Sequence, residues 1–196
     1  MDSGIDKQII LALQNLHQAQ PLDAVIFQDY EKGLFHPDNI PKFISTLKSL
    51  GIKIIVDPKN LNFWYYKNVD VIKPNKKEAE NALKQKLLMT EEGLANAVEK
   101  IGQGLNNHLT VITLSEDGIY LKCEQNNIWQ LSIEKEIVDV CGAGDAVISV
   151  IAAAWCSGSD LEDLATISNL SGAQVCGEKG VAAINLEALK KTYNSR

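Results

Sequence analysis

Apolar and polar positions along the chain switch repeatedly between a period near 3.6 and short continuous apolar runs. Ile5, Ile9, Leu13 and Leu16 recur at helical spacing and stop before Pro21, which predicts an opening helix. Residues 24–27 are β-branched and aromatic and predict a buried strand that ends in the polar loop Asp29-Tyr30-Glu31-Lys32-Gly33. Over 38–50, Ile40, Phe43, Ile44, Leu47 and Leu50 share one helical face, with Asp38 as the cap and Gly51 as the stop. Strands are predicted at 53–56, 69–72 and 109–114, and helices at 76–86 and 91–104, the second capped by Thr90. Segments 118–124 and 127–133 read as a hairpin, and 143–157, 160–176 and 186–194 as helices. Strands alternating with helices imply an α/β protein with a mostly parallel sheet. With no repeat or linker, residues 1–196 are assigned to a single domain.

Three of these strands end in polar residues: Asp29 with Lys32, then Asp57-Pro58-Lys59, then Lys73-Pro74-Asn75. In an open α/β sheet that edge binds ligands, because the helices that follow present free N–H groups there. Taken singly, Asp29, Lys32, Asp57 and Lys59 are either solvated loop charges or ligand contacts.

Composition narrows the classes. The 196 residues are 45% hydrophobic and 22% charged, as in folded globular proteins. A net charge of −6 gives no general field for a phosphate backbone, so nucleic acid is not an expected partner. The longest apolar stretch, 146–156, is too short to cross a bilayer and predicts a buried core helix, with no membrane partner. Four cysteines without a C-x-x-C pair and three scattered histidines argue against zinc. No signal peptide is evident, so these read as reduced thiols of a cytoplasmic protein.

The segment Asp139-Val140-Cys141-Gly142-Ala143-Gly144-Asp145 runs directly into the apolar helix. Two glycines allow a tight turn at a helix start, where unpaired N–H groups and the positive dipole end suit a phosphate. The alternative is a plain turn, with Asp145 favourably placed in the first helical turn. A carboxylate there is also suited to accept the proton of an attacking hydroxyl while neighbouring amides hold the phosphoryl charge. Loose phosphoryl-transfer transition states need that proton removed only late, so a weak base suffices. In Pro74-Asn75-x-x-Glu78, Asn75 and Glu78 lie one helical turn apart. The pair fits a capping box, or ligands for hydrated Mg²⁺ beside a triphosphate, and the two readings are compatible. Thr113-Leu114-Ser115-Glu116-Asp117-Gly118 closes a strand on the same edge and is by default a turn.

In this order the segments resemble the ribokinase or PfkB family of carbohydrate kinases. The signature D-T/V-T-G-A-G-D is matched by residues 139–145, the P-N-x-x-E element by Lys73-Pro74-Asn75-Lys76-Lys77-Glu78, and the nucleotide-loop strand by 111–118. Asp29-Tyr30-Glu31-Lys32-Gly33-Leu34, Val56-Asp57-Pro58-Lys59 and residues 169–180 look most like heptose 7-phosphate kinases, which phosphorylate the anomeric hydroxyl of D-glycero-β-D-manno-heptose 7-phosphate on the route to ADP-heptose and lipopolysaccharide. The resemblance implies a ribokinase-like, Rossmann-like three-layer αβα fold with a mostly parallel sheet. It makes Asp145 the catalytic base and Gly142, Ala143 and Gly144 the anion hole. Asn75 and Glu78 would organise Mg²⁺ and the triphosphate, while Ser115, Gly118, Asn169 and Ala173 would line the nucleotide pocket. Asp139 would hold a monovalent cation, potassium, and Lys32 and Lys59 are assigned to substrate phosphate. Implied cofactors are ATP and Mg²⁺, and the partner is a small sugar phosphate. Cys141 stands where threonine is usual.

Family members begin with further sequence that supplies the first strands, part of the sugar site and a β lid. The chain matches the nucleotide-binding and catalytic portion, without those strands and lid. That length also allows a truncated, non-catalytic nucleotide-binding remnant. A dinucleotide-dependent oxidoreductase is a weaker fit, because the third glycine of its fingerprint is missing. A doubly wound sheet without its early strands exposes an edge, so self-association into a homo-oligomer is expected.

Overall fold

The computed structural model describes residues 4–133 and 137–195. Helix α1 (Gly4–Ala19) leads into strand β1 (Ala24–Gln28), followed by α2 (Ile40–Ser49), β2 (Lys53–Asp57), a short 3₁₀ turn at Phe63–Tyr65 and β3 (Val71–Ile72). Helices α3 (Lys76–Leu83) and α4 (Glu91–Leu105) then lead to β4 (Leu109–Thr113) and the hairpin β5 (Ile119–Cys123) and β6 (Asn126–Gln130). The chain closes with α5 (Ala143–Cys156), α6 (Leu161–Cys176) and α7 (Leu186–Asn194).

The six strands lie in sequence order, β1-β2-β3-β4-β5-β6, parallel from β1 to β4 and antiparallel from β4 to β6. Alternation along the strands sorts the core into two layers. Ile54 and Val56 of β2 pack with Phe43 and Leu47 of α2 and Leu94 and Ile101 of α4. Their neighbour Ile55 points the other way, with Val111, Ile119 and Leu121, onto Val147, Ile148 and Ile151 of α5 and Leu164 of α6. Truncating the fully buried Ile55 to alanine is therefore expected to cost about 2–5 kcal/mol. The result is the expected three-layer αβα architecture with a mostly parallel sheet. Among the described residues no strand precedes β1, which pairs on one side only with β2.

Local signals explain most boundaries. Thr90 accepts from Gly93 N at 3.1 Å and caps α4, and Asp160 accepts from Asp163 N at 2.8 Å and caps α6. Two expectations are corrected. Asp38 is not the cap of α2; Asn39 holds that position and makes no side-chain cap bond. Its amide is used elsewhere, donating to Asp6 Oδ1 at 3.0 Å and Leu34 O at 2.8 Å and accepting from His36 N at 2.9 Å. Helix α3 ends at Leu83 rather than 86, because Lys84 takes a left-handed conformation with φ +53° and Glu80 accepts from Leu87 N at 3.1 Å. The apolar helix α5 is buried along most of its length, but Ser149 and Ala153 face solvent. Among the described residues no helix is long and apolar enough to cross a membrane, and all four cysteines are free thiols.

Candidate functional site

The C-terminal ends of β1 to β4 and the N-terminus of α5 enclose a cleft of about 760 Å³. Gln28 and Tyr30 reach it from β1, Asp57 and Lys59 from β2, Lys73 and Asn75 from β3, and Thr113 and Ser115 from β4. Gly142, Ala143, Gly144 and Asp145 line the opposite wall, and Ser168, Asn169, Gly172 and Ala173 of α6 continue it. This volume falls within the range of small-molecule sites.

The turn that starts α5 needs glycine at its first position. Gly142 has φ +80°, a left-handed conformation that side chains disfavour, and Val181 Cγ1 stands 3.3 Å from where a Cβ would be. Ala143 N–H reaches back to Val140 O at 3.3 Å, so the amides of Gly144 and Asp145, in the first turn, remain the better donors for an anion. Asp145 is exposed to the cleft, and its Oδ1 accepts a hydrogen bond from the Tyr30 hydroxyl at 3.1 Å. Below this turn lies an ion pair between two strand-end residues, so Asp57, read from sequence as a solvated charge or a ligand contact, is buried against Lys73 instead. Lys73 and Asp57 are 2% and 4% exposed and meet at 3.2 Å, and Gln28 Nε2 donates to Asp57 Oδ2 at 2.9 Å. A Cβ on Gly144 would stand 3.9 Å from both Lys73 Nζ and Asp57 Oδ2, so the turn rests on this ion pair. The available signals were the two strand ends, Asp57 before Pro58 and Lys73 before Pro74.

At the start of α3 the structure shows the capping geometry. Asn75 Oδ1 accepts from Glu78 N, and Glu78 Oε2 accepts from Asn75 N, each at 2.9 Å, which is a complete capping box. Glu78 is buried, and its other oxygen pairs with Lys59. Burial works against the charged form of Lys59. The hydrogen bond to Glu78, with the charges of Glu78 and Asp57, outweighs it and holds the ammonium above the ordinary lysine value. Lys59 thus lines the cleft but is engaged by Glu78. Among the described residues no three His, Cys, Asp or Glu side chains form a metal cluster. One carboxylate and one amide oxygen fit a Mg²⁺ ion that takes its remaining oxygens from water and phosphates.

Ser115 opens a 3₁₀ turn after β4 and Gly118 follows it. Gly118 has φ +88°, and a Cβ there would stand 2.1 Å from Gln130 O, so the close approach of the hairpin demands glycine. On α6, Asn169 Nδ2 donates to Leu131 O, closing the far end of the cleft, and Ala173 leaves room beside it. Ser168, also unassigned from sequence, is fully buried, and its Oγ has no hydrogen-bond partner among the described residues.

Three candidate residues lie outside the cleft lining. Asp139 does not line the cleft; its carboxylate accepts from Cys141 N and Gly180 N, each at 3.0 Å, and these amides hold its pKa below the ordinary carboxylate value. Lys32 is exposed and lies outside the cleft lining, because Glu31 turns the loop with φ +54°. Asp29 is neither solvated nor a ligand contact. It is 1% exposed and accepts from Glu31 N at 2.8 Å, Asn62 Nδ2 at 2.9 Å and the Tyr66 hydroxyl at 2.7 Å.

The chain is similar to proteins named bifunctional protein HldE. It is 36% identical over 169 residues to that of Sulfurimonas denitrificans and 32% identical over 171 residues to that of Campylobacter concisus. The alignments cover 86% and 87% of this chain but 35% and 36% of those proteins, so the chain spans about a third of the length of the curated relatives it matches. In structure it resembles Escherichia coli phosphofructokinase-2 in complex with potassium, with a TM-score of 0.87 at 17% identity over 100% of this chain and 64% of that one. It also resembles Arabidopsis thaliana ribokinase complexed with ribose and ATP, with a TM-score of 0.76 at 19% identity over 91% of this chain and 58% of that one. Residues 34–188, which hold most of the cleft, match the family model described as pfkB family carbohydrate kinase, and the chain belongs to that family.

Proposed function

We propose that this chain carries the nucleotide-binding and phosphoryl-transfer part of a sugar kinase. Its substrate is taken to be a heptose 7-phosphate, converted to the 1,7-bisphosphate. The observation that carries the reading is Asp145 at the mouth of the cleft, beside the amides of the Gly142 turn at the N-terminus of α5. The similarity to HldE proteins supports the heptose; it is support for the substrate class and no more. An oxidoreductase with a dinucleotide is set aside, since the family is one of kinases.

ATP enters with its adenosine along α6, past Asn169 and Ala173 and against Ser115 and Gly118, and its phosphates point toward α5. The amides of Gly144 and Asp145 then hold the γ-phosphoryl oxygens, where fixed dipoles stabilise charge without reorganisation. The buried Lys73–Asp57 pair lies beneath this turn and supports it from below. Mg²⁺, held through water by Glu78 and Asn75, supplies further neutralisation of the phosphates when bound. Asp145 accepts the proton of the sugar hydroxyl late in the transfer. A potassium ion near Asp139 belongs to the same proposal, as does a phosphate contact by Lys59 once Glu78 turns to the metal. Incubation with Mg·ATP and heptose 7-phosphate is expected to yield the bisphosphate, and Asp145→Asn to abolish it. Unchanged turnover in that variant would overturn the reading.

A second reading, a nucleotide-binding remnant, is favoured by the open side of the cleft at β1, where no further strand among the described residues contributes to a sugar site. It expects ATP binding by calorimetry and no transfer to any sugar in a panel.

A further inference from the structure

Among the described residues Tyr30 is the aromatic side chain hydrogen-bonded to the proposed base, and the phosphoryl-transfer scheme gives it no task. Its hydroxyl donates to Asp145 Oδ1 at 3.1 Å, across 115 positions of sequence. Its two neighbours are pinned. Asp29 is buried on Asn62 and Tyr66, and Glu31 accepts from Leu61 N at 2.7 Å through its carboxylate. The Tyr30 side chain itself is 55% exposed and is free to leave without unfolding anything. Burial, then the bond to Asp145, raises its pKa above the ordinary tyrosine value, so the phenol keeps its proton and acts as donor. The arrangement mimics a bound acceptor, with a hydroxyl presenting its proton to the carboxylate beside the anion-binding amides.

A kinase whose base is open to solvent also has a competing acceptor. Water on Asp145 gives up its proton in the same way, and transfer to it hydrolyses ATP. We propose, resting on the kinase reading above, that Tyr30 is the residue that discriminates a sugar hydroxyl from water. It occupies Asp145 Oδ1 until an acceptor held by further contacts displaces it, while a single water, lacking those contacts, does not.

The test is ATP hydrolysis by the full chain, measured as phosphate release with Mg·ATP and no sugar. Tyr30→Phe keeps the ring and removes the hydroxyl. Hydrolysis is expected to rise about tenfold, well inside what a general base supplies, and to vanish in Tyr30→Phe/Asp145→Asn. With heptose 7-phosphate present, the variant should release more phosphate per bisphosphate formed, a ratio that mere loosening of the fold does not change. Bisphosphate formation with unchanged sugar-free hydrolysis in Tyr30→Phe overturns the role of Tyr30 and leaves the kinase reading standing. Mass spectrometry that finds the Tyr30 hydroxyl phosphorylated after incubation with Mg·ATP also overturns it, since the phenol would then be an acceptor. Absence of ATP binding in both proteins overturns the kinase reading and this proposal together.

Discussion

At the scale of single residues, Asp145 and Asp139 sit six positions apart at the entrance to α5 and answer to different physics. Asp145 faces the cleft from the first turn of α5, where free backbone amides lie beside it. A loose transition state asks for the proton late, so the Asp145→Asn variant is expected to lose about 10²–10⁴-fold in kcat. ATP affinity should change little, because backbone amides carry the phosphates; steady-state kinetics with calorimetry separates the two. Asp139 instead ties Cys141 to Gly180 by two amide bonds. Its folded pKa is depressed, so its stabilisation is full above the ordinary carboxylate range and is lost as pH falls through the folded value. Asp139→Asn should therefore melt below the parent at neutral pH, and the gap between the two should close on acidification. A gap that widens in acid would contradict that sign.

At the scale of elements, the start of α3 separates capping from metal binding. Glutamine at position 78 retains the capping box but removes the charge. Because Glu78 is buried and its second oxygen holds Lys59, Glu78→Gln should cost about 1–3 kcal/mol of stability. It should raise the Mg²⁺ concentration needed for half-maximal activity, and an unchanged Mg²⁺ dependence would leave Glu78 as a cap alone. The start of α5 is a backbone matter. Gly142→Ala forces a side chain into φ +80° against Val181, and left-handed geometry costs about 1–2 kcal/mol. For a chain of this size that lowers Tm by about 2–8 °C, and the ATP-induced rise in Tm should shrink as well.

These elements also mark what was legible in the sequence. Thr90 and Asp160 act on amides three residues ahead, so the starts of α4 and α6 were readable, as was the Gly142 turn, whose backbone conformation calls for glycine. Asn39 was not, because its amide is taken by Asp6, 33 residues away. The same reason hid Tyr30 and Lys73 from the site. Their contacts with Asp145 and beneath Gly144 arise only when the strand order brings β1, β2 and β3 under α5. Lys32 lies outside the cleft lining for a local reason the sequence does not display, the left-handed turn of the loop at Glu31.

At the scale of the molecule, β1 decides how the chain behaves in solution. Its main chain pairs with β2 on one side, and among the described residues no strand pairs with its other side, whose N–H and C=O groups form a template for another strand. Natural edges are shielded by charge or proline, whereas β1 reads Ala-Val-Ile-Phe-Gln and leaves Ile26 38% exposed. Helix α1, which precedes β1, adds Ile5, Leu11 and Leu16, each 57% exposed. Apolar surface next to an open edge favours association by both hydrogen bonding and burial, so the chain is expected to self-associate at micromolar concentration through β1. Sedimentation velocity should show species larger than the monomer, and Ile26→Lys, which puts a charge on the open strand, should shift them toward monomer. The core should survive this change, because Ile26 lies outside both buried clusters. A monomer across the whole concentration range in the parent chain would mean that the β1 edge is protected by its own twist and by α1. Unchanged association in Ile26→Lys would move the contact to the exposed face of α1.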